Sequence, residues 1–240
     1  MQILHFNISK KIQHAEVNLF PSVIIIGNEV YLVDCGYEET YDEFVNALEE
    51  LGIPSLTGII ISHDDIDHLG ALSKFKESDP SIKVYCSEIE RNSIEGIIPS
   101  ERLIQAENSL PHLPEEYKSW ALGFIQQLKS IQRITIDIAL HEGDLIADQI
   151  EVIHTPGHTS GHISLYIPSQ KTLIANDALV IENGEFNIAN PQFCLDLNNA
   201  IASVKKIRRL APRKVICYHG GIMENEVDEK LQKLLDKFSL

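Results

Sequence analysis

Short apolar runs bounded by turn residues recur in two blocks of this chain, with a stretch of helical periodicity between them. In the first block, residues 23–26 and 30–33 flank Gly27-Asn28, which predicts a β-hairpin with glycine at the first central position of a type II′ turn. Tyr41, Phe44, Val45, Leu48 and Leu51 then recur at three- and four-residue spacing up to Gly52 and Pro54, the pattern of an amphipathic helix and its stop. Gly58-Ile59-Ile60-Ile61 reads as a short buried strand. Leu69, Leu72 and Phe75 predict a helix after it, and residues 82–85 a further strand.

From about residue 87 to 135 the pattern turns helical and irregular. Trp120, Phe124, Leu128 and Ile131 form one apolar stripe behind the first-turn signal Pro114-Glu115-Glu116, and this insertion is expected to pack as a cap beside a site. The β pattern returns at 149–153 and in a second hairpin, 163–167 with 172–175. A turn-rich segment, 182–192, leads to a helix with the stripe Leu197, Ile201, Val204 and Ile207. A strand at 214–218 and a helix carrying Val227, Leu231, Leu234, Leu235 and Phe238 close the chain. No linker interrupts this order, so residues 1–240 read as one domain with a helical insertion at 87–135.

Composition narrows the classes. A hydrophobic fraction of 44% is ordinary for a globular protein, and no apolar run approaches the ~20 residues that span a bilayer. Lys plus Arg is 20 against Asp plus Glu 35, a formal charge of −15 that repels nucleic-acid backbones. Cys35, Cys86, Cys194 and Cys217 are scattered without a CxxC pair, which suits reduced structural thiols. The opening Met1-Gln2-Ile3-Leu4-His5-Phe6 has no basic region followed by an apolar core. The expectation is a cytoplasmic protein with no membrane or nucleic-acid partner. The cap's stripe offers a homodimer contact as readily as a core one.

The chemistry gathers at strand ends. Ser62-His63-Asp64-Asp65-Ile66-Asp67-His68 sets two imidazoles and three carboxylates directly behind the strand at 58–61. Crowding of that kind at neutral pH calls for a positive partner, and His nitrogen with carboxylate oxygen suits a divalent metal. Asp34 in Val-Asp-Cys-Gly, His158 in Pro-Gly-His-Thr, Asp177 after Asn176, and His219 before Gly-Gly stand at four further strand ends.

Taken in that order, these motifs resemble the five motifs of the metallo-β-lactamase superfamily over almost the whole chain. The resemblance implies an α+β fold, a four-layer αββα sandwich, with a two-metal site on one edge. It implies that His63, Asp65 and His158 hold one ion and Asp67, His68 and His219 the other, with Asp177 bridging. Asp34 would brace the ligand loops from outside, and His162 would take a similar supporting or structural place. The family's usual motif is His-x-His-x-Asp-His, and Asp65 stands here where the second His is expected. Zinc leads for the two divalent ions, and because a carboxylate is the harder ligand it tilts the Asp65 site towards manganese or iron.

The implied activity is a metallo-hydrolase that uses a metal-bridging hydroxide to cleave a small-molecule ester, lactone or thioester, in the manner of lactonases and glyoxalase II-like enzymes. Asp67 would orient the hydroxide and pass its proton to the leaving group. Phosphodiester or β-lactam hydrolysis, a redox reaction of the persulfide dioxygenase type, and a non-catalytic metal-binding module are the alternatives. Among the other residues, Asp64 is expected to face solvent and His154 to support its loop. His5, His14, His112 and His141 are expected on the surface, and Cys35 and Cys217 as buried, inert thiols. Residues 182–193 and the cap are candidates for the substrate pocket by position.

Overall fold

A computed structural model describes residues 1–12, 15–189 and 194–238. The first block runs β1 (Gln2–His5), β2 (Ile8–Ile12), β3 (Ala15–Leu19), β4 (Ser22–Ile26), β5 (Glu29–Val33), α1 (Tyr41–Glu50), β6 (Gly58–Ile61), α2 (Ile66–Leu69), α3 (Leu72–Ser78) and β7 (Lys83–Ser87). Three helices follow, α4 (Glu88–Ile94), α5 (Glu101–Ser109) and α6 (Glu115–Ser130), before β8 (Ile138–Leu140). The second block runs β9 (Leu145–Ile146), β10 (Ile150–His154), β11 (Ile163–Ile167), β12 (Thr172–Ile174), β13 (Val180–Glu182), β14 (Glu185–Asn187), α7 (Leu197–Arg209), β15 (Lys214–Cys217), β16 (Gly221–Met223) and α8 (Val227–Asp236).

Each block builds a six-stranded sheet, in the orders β1-β4-β5-β6-β7-β8 and β16-β15-β12-β11-β10-β9. The period-2 geometry of a strand divides each apolar run between two cores. Tyr31, Val33 and Ile60 face Ile163, Leu165, Ile167, Ile174 and Ile216 of the other sheet. Their neighbours Leu32, Ile59 and Ile61 pack against Phe44 and Leu48 of α1 and Leu72 and Phe75 of α3. On the far side, Leu173, Val215 and Cys217 pack against Val204 and Ile207 of α7 and Leu231 and Leu234 of α8. The layers are therefore helix, sheet, sheet, helix. Central strands buried on both faces read as unbroken apolar runs, which is why Ile59-Ile60-Ile61 shows no alternation. Truncating Ile60, fully buried between the sheets, to alanine would cost about 2–5 kcal/mol.

Three predicted elements differ in detail. The hairpin turn is as expected: Ile26 pairs with Glu29 and Gly27 has φ +59°. The helix predicted from Leu69, Leu72 and Phe75 is split, with Leu69 closing α2 and Leu72 opening α3. The stripe of α6 is turned from its predicted setting: Ala121, Ile125 and Leu128 are buried, whereas Trp120 is 60% exposed and stacks on Phe124. The reason is the neighbour, since α6 packs on α5, where Leu103 meets Ile125 and Leu128. Part of the turn-rich segment is the small β13–β14 hairpin; residues 190–193 and His14 lie outside the described residues.

Candidate metal centre

Strand direction delivers the site residues to one edge. β5 and β6 are parallel, Val33 opposite Ile60, so Asp34 and Ser62-His63 leave the first sheet side by side. β12 and β15 are parallel, Ile174 opposite Ile216, so Asn176-Asp177 and Tyr218-His219 leave the second sheet together. The loop between β10 and β11, carrying His158, ends at the same edge, where the Ile163 N–H donates to the Ser62 carbonyl at 3.1 Å and ties the two sheets. Two backbone positions make these exits possible. Gly157 has φ +137° and lies so close to α7 that a Cβ would sit 2.3 Å from the Ala200 nitrogen. Asn176, standing before Asp177, is left-handed at φ +48°, a conformation asparagine tolerates.

The side chains form two groups whose ligand atoms lie within 4.8 Å of one another: His63, His158 and Asp177, and Asp67, His68 and His219. Asp177 Oδ2 lies between them, 3.6 Å from His158 Nε2, 3.5 Å from His68 Nε2 and 3.6 Å from His219 Nε2. Asp67 Oδ2 is 3.1 Å from His219 Nε2. His63 Nε2, His68 Nε2 and Asp177 Oδ1 are buried with no hydrogen-bond partner among the described residues. A buried imidazole nitrogen facing two carboxylates without a partner is costly unless a cation completes it, and three imidazoles with mixed carboxylates suit a divalent metal. The residues present therefore fit such an ion.

Supporting contacts orient the rings. Asp34, fully buried and left-handed at φ +60°, accepts from the Ser62 N–H and hydroxyl and pairs with His68 Nδ1, each at 2.8 Å. With Nδ1 so engaged, Nε2 of His68 is aimed at the site. His162, also fully buried, uses Nδ1 on Thr155 Oγ1 at 2.8 Å, and its Nε2 accepts from the Asp177 N–H at 3.2 Å. Burial, followed by the facing His63, holds its pKa well below the ordinary value, so the ring is neutral and able to accept. Burial opposes charge on His219, yet Asp177 and Asp67 push its pKa up to about 9. They and Asp34 act on His68 in the same sense. Cys35 and Cys217 are buried and their thiols are raised well above the usual value, first by burial.

Asp65 belongs to neither group, yet its Oδ2 lies 3.5 Å from His63 Nε2 at the edge of the first. Its carboxylate lies in the fork of Arg102, with Nε at 3.0 Å from Oδ1 and Nη2 at 2.8 Å from Oδ2, while Oδ2 is also 2.9 Å from His158 Nε2. Burial opposes its charge, but Arg102, followed by His158 and His63, holds its carboxyl well below the usual range. Asp64 corrects an expectation: it is 2% exposed, not solvated, and pairs with Arg133 Nη1 at 2.6 Å, away from the ligand atoms. The backbone there turns Asp64 under the insertion instead of outward. His5 stacks on Phe20 and is half-buried. His112 and His141 are exposed, and His154 is partly buried at the end of β10, its carbonyl accepting from Lys206.

Two residues near the site carry no sequence signal of their own. Arg102 belongs to the insertion, in the first turn of α5 and 37 positions from the carboxylate it grips. Tyr37 follows Asp34-Cys35-Gly36, and its hydroxyl pKa is raised first by Asp67, then by burial, Asp65 and Asp177.

The metallo-beta-lactamase superfamily model matches residues 20–219. The chain belongs to that superfamily. It is 26% identical over 202 residues to a probable metallo-hydrolase, YybB, of Bacillus subtilis, covering 83% of this chain and 80% of that protein. It is 28% identical to an N-acyl homoserine lactonase of Bacillus thuringiensis over 77% of this chain and 64% of that one. Among solved structures, a metallo-beta-lactamase from Pontibacter korlensis superposes with a TM-score of 0.68 at 17% identity, over 98% of this chain and 93% of that one. A metallo-beta-lactamase family protein from Thermus thermophilus gives 0.69 at 20% identity, over 98% and 79%. The fold is thus the αββα sandwich, and the chain is a metallo-hydrolase of that superfamily. Among the described residues, no helix is long and apolar enough to cross a membrane.

Proposed function

We propose that this protein is a metal-dependent hydrolase of a small-molecule ester, lactone or thioester, working at the edge where the two groups meet. The observation that carries this reading is Asp177 Oδ2, set at 3.5–3.6 Å from imidazole nitrogens of both groups. Divalent ions held by Asp67, His68, His219 and Asp177, and by His63 and His158, would supply an activated water and a Lewis acid for the scissile carbonyl. The chain's own residues then divide the remaining tasks. Asp67, whose Oδ2 is paired with His219, takes the water's proton and returns it to the leaving oxygen or sulfur. Asp34 and His162 hold the His68 and Asp177 geometry through the step.

The homoserine lactonase likeness and the formal charge of −15 both favour a small substrate over a nucleic acid. The cap at α4–α6 would bound its pocket. A panel of lactones, aryl esters, thioesters, bis-aryl phosphodiesters and β-lactams, assayed with zinc, manganese or iron, tests the proposal. Turnover of a lactone, ester or thioester that disappears in Asp67→Ala supports it. Turnover confined to phosphodiesters or β-lactams overturns the substrate class. Fully metallated protein with no turnover of any member of the panel supports a binding module instead.

A further inference from the structure

We propose that Arg102 is a resident cation in the first half of the site, occupying Asp65 and disfavouring a metal ion at His63 and His158. The two halves are then unequal: Asp67, His68, Asp177 and His219 bind one ion tightly, and the first half binds weakly. This rests on the metal-centre reading above and concerns how many ions it takes.

The guanidinium is 3% exposed and reaches the ligand atoms themselves. Nε and Nη2 engage both oxygens of Asp65, Nη1 donates to Gln105 Oε1 at 2.6 Å, and Nη2 lies 3.3 Å from His158 Nε2. A carboxylate gripped by both oxygens in an arginine fork has its charge offset and its lone pairs engaged. It is therefore a poor donor to a second cation. The His158 nitrogen that faces Asp65 and Asp177 is the same one the guanidinium approaches. A metal ion bound there would meet a fixed positive charge within a few ångströms, in a setting with little water to screen it.

The arrangement is built, not incidental. Arg102 stands in the first turn of α5, whose Ser100 cap accepts from the Leu103 N–H. Its neighbour Glu101 takes the Ser160 N–H at 2.8 Å and the Ser160 hydroxyl at 2.6 Å, two residues beyond His158. Glu90 of α4 accepts from Thr159 Oγ1 and the Gly161 N–H in the same loop. The insertion is thus clamped to the His158 loop at two points, Glu90 and Glu101, the second directly before the residue that carries the guanidinium. Asp65, which occupies the place of a second histidine, makes sense as the anion that this arginine needs.

The test is metal binding itself, read by equilibrium dialysis with Co(II) or Zn(II), metal analysis, and the EPR signal of the Co(II) form. Wild type is expected to hold one tight ion per chain with an uncoupled Co(II) spectrum. Arg102→Ala and the double variant Arg102→Leu/Asp65→His should bind a second ion at least ~10-fold more tightly than wild type, with spin coupling between neighbouring ions. The double variant removes the buried carboxylate together with its partner, so it stays informative if Arg102→Ala fails to fold. Two equally tight ions in wild type would overturn the proposal. So would loss of metal in both variants, with folding intact by circular dichroism, because the arginine would then be holding a ligand in place. Wild type that binds no ion at either half would instead remove the metal-centre reading.

Discussion

The two halves of the site are built from the same residue types but are supported in opposite ways. Around His68 the support is anionic: Asp34 takes Nδ1, Asp177 and Asp67 face Nε2, and the Tyr218 hydroxyl donates to the Asp67 carbonyl. Around His158 the support is cationic, since Arg102 pairs with Asp65 at the very atoms a metal would use. Carboxylates behind a ligand imidazole raise its basicity and its grip on a cation. A guanidinium beside the ligands does the reverse. One fold edge thus carries a half prepared for a metal and a half already holding a positive charge.

The largest effect should come from the residue both halves share. Asp177→Ala removes an oxygen that lies within 3.6 Å of three imidazole nitrogens. It should abolish tight metal binding and cut turnover by more than the ~10–100-fold typical of outer partners. Single truncations then separate the halves: His219→Ala should lose the tight ion, and His158→Ala should keep it. Equal metal loss in those two variants would break the comparison. Next comes Asp34→Asn, which keeps the side-chain shape and suits the left-handed backbone at φ +60°. It lacks one acceptor for Ser62 or His68 and should weaken metal binding by ~10–100-fold, measured by competition with a chelator.

This contrast also marks what could be read from the chain. The strands and helices were legible because the central strands are apolar on both faces and the helices carry regular stripes, as at Phe44 and Leu48 or Val204 and Ile207, whereas the sandwich followed from the resemblance of the motif order to the superfamily. His63, Asp67, His68, His158, Asp177 and His219 were legible as a set because each follows a strand end, and parallel pairing brings such ends to one edge. The partner of Asp65 was not. It arises from a helix in an irregular insertion, and nothing in the spacing of Ser100-Glu101-Arg102 indicates which loop that helix meets. Asp64 was misread for the same reason, because its burial depends on Arg133 at the far end of the insertion. Local pattern records a residue's own element, whereas these pairings depend on tertiary packing.

A smaller effect would sharpen the comparison through pH. Glu90, which ties α4 to the His158 loop, has its pKa raised from 4.5 to about 7, first by burial and further by Asp64 and Glu101, against the hydrogen bond from Thr159. The folded state therefore holds a proton that the unfolded state releases between about pH 4.5 and 7. This contribution to stability is full below 4.5 and is lost as pH rises through 7. At about 1.4 kcal/mol per unit the change is roughly 3 kcal/mol. Glu90→Gln should flatten the urea-unfolding profile over that window, and an unchanged slope would show that Glu90 does not titrate there. The anionic half should be indifferent to the substitution, so the tight ion stays in place at neutral pH.

The smallest effect concerns the face of the insertion turned away from both halves. Among the described residues, α4 and the start of α5 reach the His158 loop through Glu90, Glu101 and Arg102. Trp120, on α6, is 60% exposed and its described ring contact is Phe124, at 5.6 Å between centroids. A stacked aromatic pair at the surface contributes about 0.5–1.5 kcal/mol. Trp120→Ala should therefore lower stability by no more than about 1 kcal/mol, with metal content and turnover unchanged. Light scattering on the same variant gives a second reading, because Ile97, Tyr117 and Leu122 of the insertion are exposed as well. A fall in molar mass, or loss of the tight ion, would show that this outer face is a protein contact whose influence reaches the site. Unchanged mass and metal content would show that this outer face takes no part in assembly or in the site.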